Sequence, residues 1–178
     1  MHLLNKKVVL MAVVFFMAIF TSVGCAKKES MQFGESYIYL LMESKLDNNV
    51  KGYYGASVYR TVNKEWLAKS FWPEWKSELH LLGITGWNGK YQCNAFASSF
   101  VSDLSKRYFI DSFHSFDQSE SLAVGVIWYY IGGDKTKYHA TVCFFDKNMD
   151  LWGLEVQDGT VFKFSDVEIK SITLELFQ

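Results

Sequence analysis

Cys93, His139 and Glu155, spread over the second half of this 178-residue chain, are the three residues whose types could together move a proton off a thiol. A thiol reacts as its thiolate. The positive end of a helix dipole and unpaired backbone N–H groups lower its pKa from about 8.5. Tyr91 to Leu104 supplies such a setting, because Phe96, Phe100, Val101 and Leu104 recur at helical spacing and leave Cys93 at the start of an amphipathic helix. A histidine beside a carboxylate can act as the base: the acceptor fixes the ring and the other nitrogen takes the proton. The plainer readings are a small cysteine filling core space and a strand histidine paired with a surface glutamate.

Whether His139 meets Glu155 depends on strand register. His139 to Phe145 and Leu151 to Gln157 read as a β-hairpin joined by a turn over 146–150. If Phe145 faces Leu151, His139 falls opposite Gln157 with Glu155 on the diagonal; a shift of two residues sets His139 against Glu155. Either register puts His139, Glu155 and Gln157 on one face, and a shift of one separates them. Cys143 shares that face by parity, where aromatic neighbours favour core filling. Ahead of Cys93, Gly83, Gly86 and Gly89 surround Trp87 and Asn88 in a tight loop that reads as the lip of a cleft. It lacks the Gly-Lys-Ser/Thr ending of a phosphate loop, since Gly89-Lys90 runs into Tyr91.

The elements that must position these residues fit in one domain. Aromatic residues make up 17% of the chain and Pro73 is its single proline, a composition that favours a packed core over disorder. The formal charge is −1, and removing Lys6 and Lys7 from the 18 basic residues leaves 16 against 19 acidic ones, a balance that calls for no nucleic-acid partner.

Those two lysines belong to an address. A basic start, an apolar run from Val8 to Phe20 and Thr21-Ser22-Val23-Gly24-Cys25 have the layout of a secretory signal, and the run is shorter than the ~20 residues of a spanning helix. Val23-Gly24-Cys25 resembles the lipobox of bacterial lipoproteins, with Ser22 where leucine is usual. That resemblance implies cleavage before Cys25 and lipidation of its thiol. Several acyl chains at ~0.8 kcal/mol per buried CH₂ would then hold the chain on a membrane of the bacterial envelope, outside the cytoplasm. Residues 1–24 are thus read as signal peptide, 25–36 as a polar tether and 37–178 as the domain. Cys93 and Cys143 are left in an oxidising compartment, where they could also pair.

Along the domain, Tyr37 to Met42 reads as a short helix, Tyr53 to Tyr59 as a turn or strand, and Lys64 to Leu82 as a helix that Pro73 should bend or divide. Asp111, His114 and Asp117 are too scattered for a metal site. Leu122 to Ile131 reads as a central strand, Val161 to Phe164 as a further one, Ser165 and Glu168 as a capping box, and Ser171 to Phe177 as an outer strand. The fold class is α+β, with N-terminal helices packed on a C-terminal antiparallel sheet.

A cysteine opening a helix and a histidine opening a later strand resemble the papain-like superfamily. More closely, Cys93-Asn94-Ala95-Phe96-Ala97, Tyr138-His139-Ala140 and Leu154-Glu155-Val156-Gln157 resemble the C-terminal cysteine-protease domain of fungal chimeric agglutinins. The resemblance covers roughly residues 53–177. It implies Cys93 as nucleophile, His139 as general base and Glu155 as the orienting carboxylate of a cysteine peptidase, or of an amidase or acyl transferase, acting on a peptide or cell-wall substrate. A non-catalytic envelope-binding lipoprotein is the alternative. Where papain-like enzymes often carry a glutamine six residues before the cysteine, this chain has Trp87; Trp87, Asn88 and Gln92 are the candidate oxyanion donors, with Gln157 as a further substrate contact. The resemblance also implies possible calcium dependence, for which no acidic loop offers a site. The lectin half of those agglutinins has no counterpart here.

Overall fold

The computed structural model describes residues 30–46, 51–87, 91–112 and 120–177. Strand β1 (Gln32–Gly34) runs into helix α1 (Glu35–Lys45), so the ordered fold reaches back into the segment read as a tether. Strands β2 (Lys51–Tyr54) and β3 (Val58–Arg60) occupy the region read as a turn or strand.

The helical run that follows is α2 (Lys64–Trp66), a π turn (Leu67–Phe71) and α3 (Trp72–Leu81). Asn63 caps it, its side-chain oxygen accepting the Trp66 N–H. Pro73 sits in the first turn of α3, where its missing N–H costs least, and the Trp72 N–H reaches five residues back to the Leu67 carbonyl. The expected break at proline is therefore absorbed by a widened turn.

Helix α4 (Cys93–Ser112) is followed by β4 (Glu120–Leu122), β5 (Val124–Tyr130) and a short 3-10 turn (Ile131–Gly133). Strands β6 (Tyr138–Phe145), β7 (Leu151–Glu155) and β8 (Thr160–Phe162), helix α5 (Asp166–Ile169) and strand β9 (Leu174–Phe177) complete the described chain. Both halves of the Ser165/Glu168 capping box are formed.

The strands make two sheets, one of order β1-β3-β4 and one of order β2-β9-β5-β6-β7-β8. This corrects the expectation of helices packed on one antiparallel sheet. Both sheets are mixed, because β3 pairs parallel with β4 and β2 parallel with β9. Strand β9, expected at the outside, lies between β2 and β5.

Both faces of the six-stranded sheet are covered, which explains why β5 and β6 are nearly continuous apolar runs. On one face Val124, Val126, Ala140, Val142, Phe144 and Leu154 pack in a core with Leu67, Trp75, Phe96 and Phe100 of the long helical segments. On the other, Ala123, Ile127, Tyr129, Cys143 and Phe145 pack in a second core with Ile38 and Met42 of α1, Tyr59 of β3 and Phe164. The expected architecture placed helices on one side only. An N-terminal strand and helix close the second side.

Candidate functional site

The β6–β7 pairing sets Phe145 opposite Leu151 and Val142 opposite Leu154. By continuation His139 lies across from Gln157 with Glu155 on the diagonal, the first of the two registers considered. The His139 Nε2 and the Glu155 Oε2 are 2.6 Å apart, and the side chains are 14% and 23% exposed. Glu155 is held from behind, its Oε1 accepting the Gln157 N–H at 3.1 Å and its backbone carbonyl the Gly159 N–H at 2.7 Å. Among the described residues the Nδ1 of His139 has no hydrogen-bond partner.

Tyr129, missed in the sequence, completes the pair. It faces His139 across β5 and β6, and the two rings meet edge to face with centroids 5.9 Å apart. Burial pushes the Tyr129 hydroxyl well above its ordinary pKa, helped by the negative charges of Glu168 and Glu155. Pairing the 122–131 strand with its neighbour would have revealed it. The Trp72 indole N–H donates to the Val156 carbonyl at 2.8 Å, and its ring occupies the space a side chain at position 159 would need. Only glycine fits there, for Gly159 also has φ +82.

Cys93 is the first residue of α4, half-buried and packed against the first core. The direction of α4 places it. Near the other end of the helix the Tyr108 hydroxyl hydrogen-bonds to Glu120 of β4, which leads through Ala123 into β5, whose first residue Val124 faces Phe144. Since α4 packs along β6, its N-terminus, about 22 Å back from Tyr108 at 1.5 Å per residue, points to the Tyr138–His139 end of the same strand. Cys93 and His139 thus share one end of the sheet. They do not share a face: His139 lies on the same side of its strand as Thr141, Cys143 and Phe145, of which the last two lie in the second core, whereas Cys93 packs on the first. No hydrogen bond joins Cys93 to His139 among the described residues.

The other expected residues are scattered. Trp87 is 60% exposed; the Gln92 carbonyl accepts the Phe96 N–H; Gln157 contributes its backbone N–H to Glu155. Asn88, His114, Asp117 and Cys25 lie outside the described residues. Asp111 pairs with Arg107 at 3.5 Å. Cys93 and Cys143 are both free thiols, so the pairing considered for them is absent. No group of three His, Cys, Asp or Glu side chains suited to a metal, calcium included, occurs among the described residues, and no described helix is long and apolar enough to cross a membrane.

A cavity of ≈ 280 Å³ opens elsewhere, between Asn63–Glu65 and Asp146–Asn148. Its buried acid is already used: Asp146 accepts the N–H groups of Asn148 and Asp150 and the Trp152 indole N–H. In the His139–Glu155 pair, by contrast, the His139 Nδ1 is unused among the described residues.

No protein-family model matches the chain, and no curated protein matches it either. Solved structures do. One is named "PSL1a-E64 complex", at 18% identity and a TM-score of 0.64, covering 82% of this chain and 51% of that one. A second is Polyporus squamosus lectin bound to the human-type influenza-binding epitope Neu5Aca2-6Galb1-4GlcNAc, at 18% identity and a TM-score of 0.61, covering 85% of this chain and 50% of that one. The chain spans about half the length of either. At this identity the likeness is one of fold.

These likenesses correct the papain-like cysteine-peptidase expectation, and the amidase and hydrolase readings with it. The second neighbour is a lectin bound to a saccharide. The physical reason lies in what the motifs encode. A helix-start cysteine and a strand histidine 46 residues on specify two element termini, not the contact between their side chains.

Proposed function

We propose that this chain is a binding protein of the bacterial cell envelope, held to a membrane by a lipid on Cys25, that takes a saccharide-bearing cell-wall ligand at the end of the sheet marked by His139 and Glu155. The observation that carries the reading is the His139–Glu155 pair itself. It is short, partly exposed, braced by two backbone N–H groups and left with one ring nitrogen unused. A sugar hydroxyl both donates and accepts, and so suits a site that offers an imidazole nitrogen beside a carboxylate. On the His139 face, the Tyr129 ring meets the imidazole edge to face and packs in turn against Phe164 at 5.3 Å. Apolar rings with a few fixed polar groups are the usual lining of a small-ligand site. The saccharide in the lectin neighbour supports the ligand class, as a property of that whole protein.

The test is binding of the purified mature chain to soluble peptidoglycan fragments and to the sialylated trisaccharide, read by calorimetry, with the intact mass of the protein recorded before and after. Saturable binding that weakens in Glu155→Gln, with no change of mass and no cleavage of the ligand, is expected. Cleavage of the ligand, or covalent capture at Cys93 of E64, the compound in the first neighbour's name, would overturn the reading. So would an absence of binding to any of these ligands.

A further inference from the structure

Helix α1 buries Ile38 and Met42 in the second core yet leaves a second apolar strip uncovered. Tyr37 is 50% and Leu40 60% exposed, and the two lie one turn apart on the side of the helix turned away from Ile38 and Met42. Phe33 meets the Tyr37 ring at 5.8 Å, and Met31, 46% exposed, extends the strip toward the N-terminus. Of these residues Phe33 also packs against the second core, whereas Met31, Tyr37 and Leu40 stand exposed outside it.

The sequence ahead of it supplies an occupant. Only five residues separate Met31 from Cys25, so a lipid on Cys25 keeps Met31 within about 20 Å of the bilayer surface even at full extension. Lys27 and Lys28 stand between them, next to where anionic headgroups would lie. Tyrosine with aliphatic neighbours is the composition favoured at the headgroup level. We propose that the strip formed by Met31, Phe33, Tyr37 and Leu40 rests in the headgroup region of the membrane that holds the Cys25 lipid, fixing the orientation of the domain on that membrane. The inference rests on the lipid-anchored part of the proposed function. It requires nothing of the ligand site.

Hydroxyl-radical footprinting tests it on the full mature chain, purified from its membrane and reconstituted in vesicles of phosphatidylethanolamine and phosphatidylglycerol, against the same chain made soluble by Cys25→Ser. Oxidation of Met31 and Tyr37 should fall severalfold on vesicles. Leu81, the last residue of α3, and Trp87 beyond it, both exposed on the opposite side of the six-stranded sheet, should be oxidised equally in both. Leu40→Glu, at a position too exposed to affect folding much, should restore oxidation of Met31 and Tyr37 on vesicles. A mature chain whose mass shows no acyl groups would overturn the anchor and the docking together. An acylated chain with unchanged oxidation at Met31 and Tyr37 would overturn the docking alone. Protection that disappears as the protein is diluted in lipid would overturn it as well, pointing to a second copy as the cover.

Discussion

Two acid–base pairs sit toward opposite ends of α4, and they differ in what they leave over. At the Tyr108 end, Arg60 grips Glu120 with two N–H groups, Nε to Oε1 at 2.9 Å and Nη2 to Oε2 at 3.0 Å. The same carboxylate accepts from the Tyr108 hydroxyl and from the Gln32 amide, so one group joins β1, β3, β4 and α4. Burial and the neighbouring Glu120 push the Tyr108 hydroxyl up to about 12, against the opposing pull of Arg60. At the Cys93 end, His139 and Glu155 share one contact, Glu155 is braced by backbone, and the imidazole keeps a nitrogen in hand. A saturated pair fixes elements to one another. An unsaturated one, with a ring nitrogen left over, is free to meet a ligand.

The difference can be broken from the saturated side first. Glu120→Ala strips partners from Arg60, Tyr108 and Gln32 at once, and with the ion pair only about one-fifth exposed it should cost about 2 kcal/mol, seen as a lower urea midpoint, with ligand affinity unchanged. His139→Ala should act first on affinity: about tenfold weaker ligand binding or more, equivalent to ~1.4 kcal/mol, with a smaller fall in urea midpoint than Glu120→Ala, because one contact is lost and not several. Ser165→Ala removes a cap that shares no hydrogen bond with either pair and should cost about 1 kcal/mol in thermal or urea unfolding with little effect on affinity.

The smallest effect is a pH dependence. Burial works against ionised Glu168, but the Ser165 N–H and hydroxyl and the Gly132 N–H outweigh it and hold its carboxyl below the ordinary 4.5. A depressed folded value means the stabilisation is fully present above the unfolded value and is lost as pH falls through the folded one. Stability should therefore decline below about pH 4.5, and Glu168→Gln should flatten that part of the curve in acid titrations of the melting temperature.

What was legible in the sequence follows the range of the interactions. The start of α4 at Cys93, the capping box at Ser165 and the register that brings Glu155 to His139 are set within one helix turn or one hairpin, where period and turn chemistry are written in adjacent residues. The parallel pairing of Lys51–Tyr54 with Leu174–Phe177 joins segments more than a hundred residues apart and leaves no such trace. The second core was missed for the same reason, because Ile38 and Met42 read as a short apolar helix without showing which sheet face they cover. The π turn at Leu67–Phe71 is a response to Pro73 that a period count cannot anticipate. Function was the least legible layer. Cys93 and His139 were placed at the right element ends, but the sequence did not show that their side chains belong to different faces.

The most direct measurement is histidine-selective nitrogen-15 NMR of the mature chain titrated with soluble peptidoglycan fragments, using His139→Ala to assign the ring. The account predicts a saturable shift of the His139 Nδ1 and Nε2 signals, with the His80 signals unmoved. Binding by calorimetry with the His139 signals unmoved would place the ligand elsewhere and contradict it.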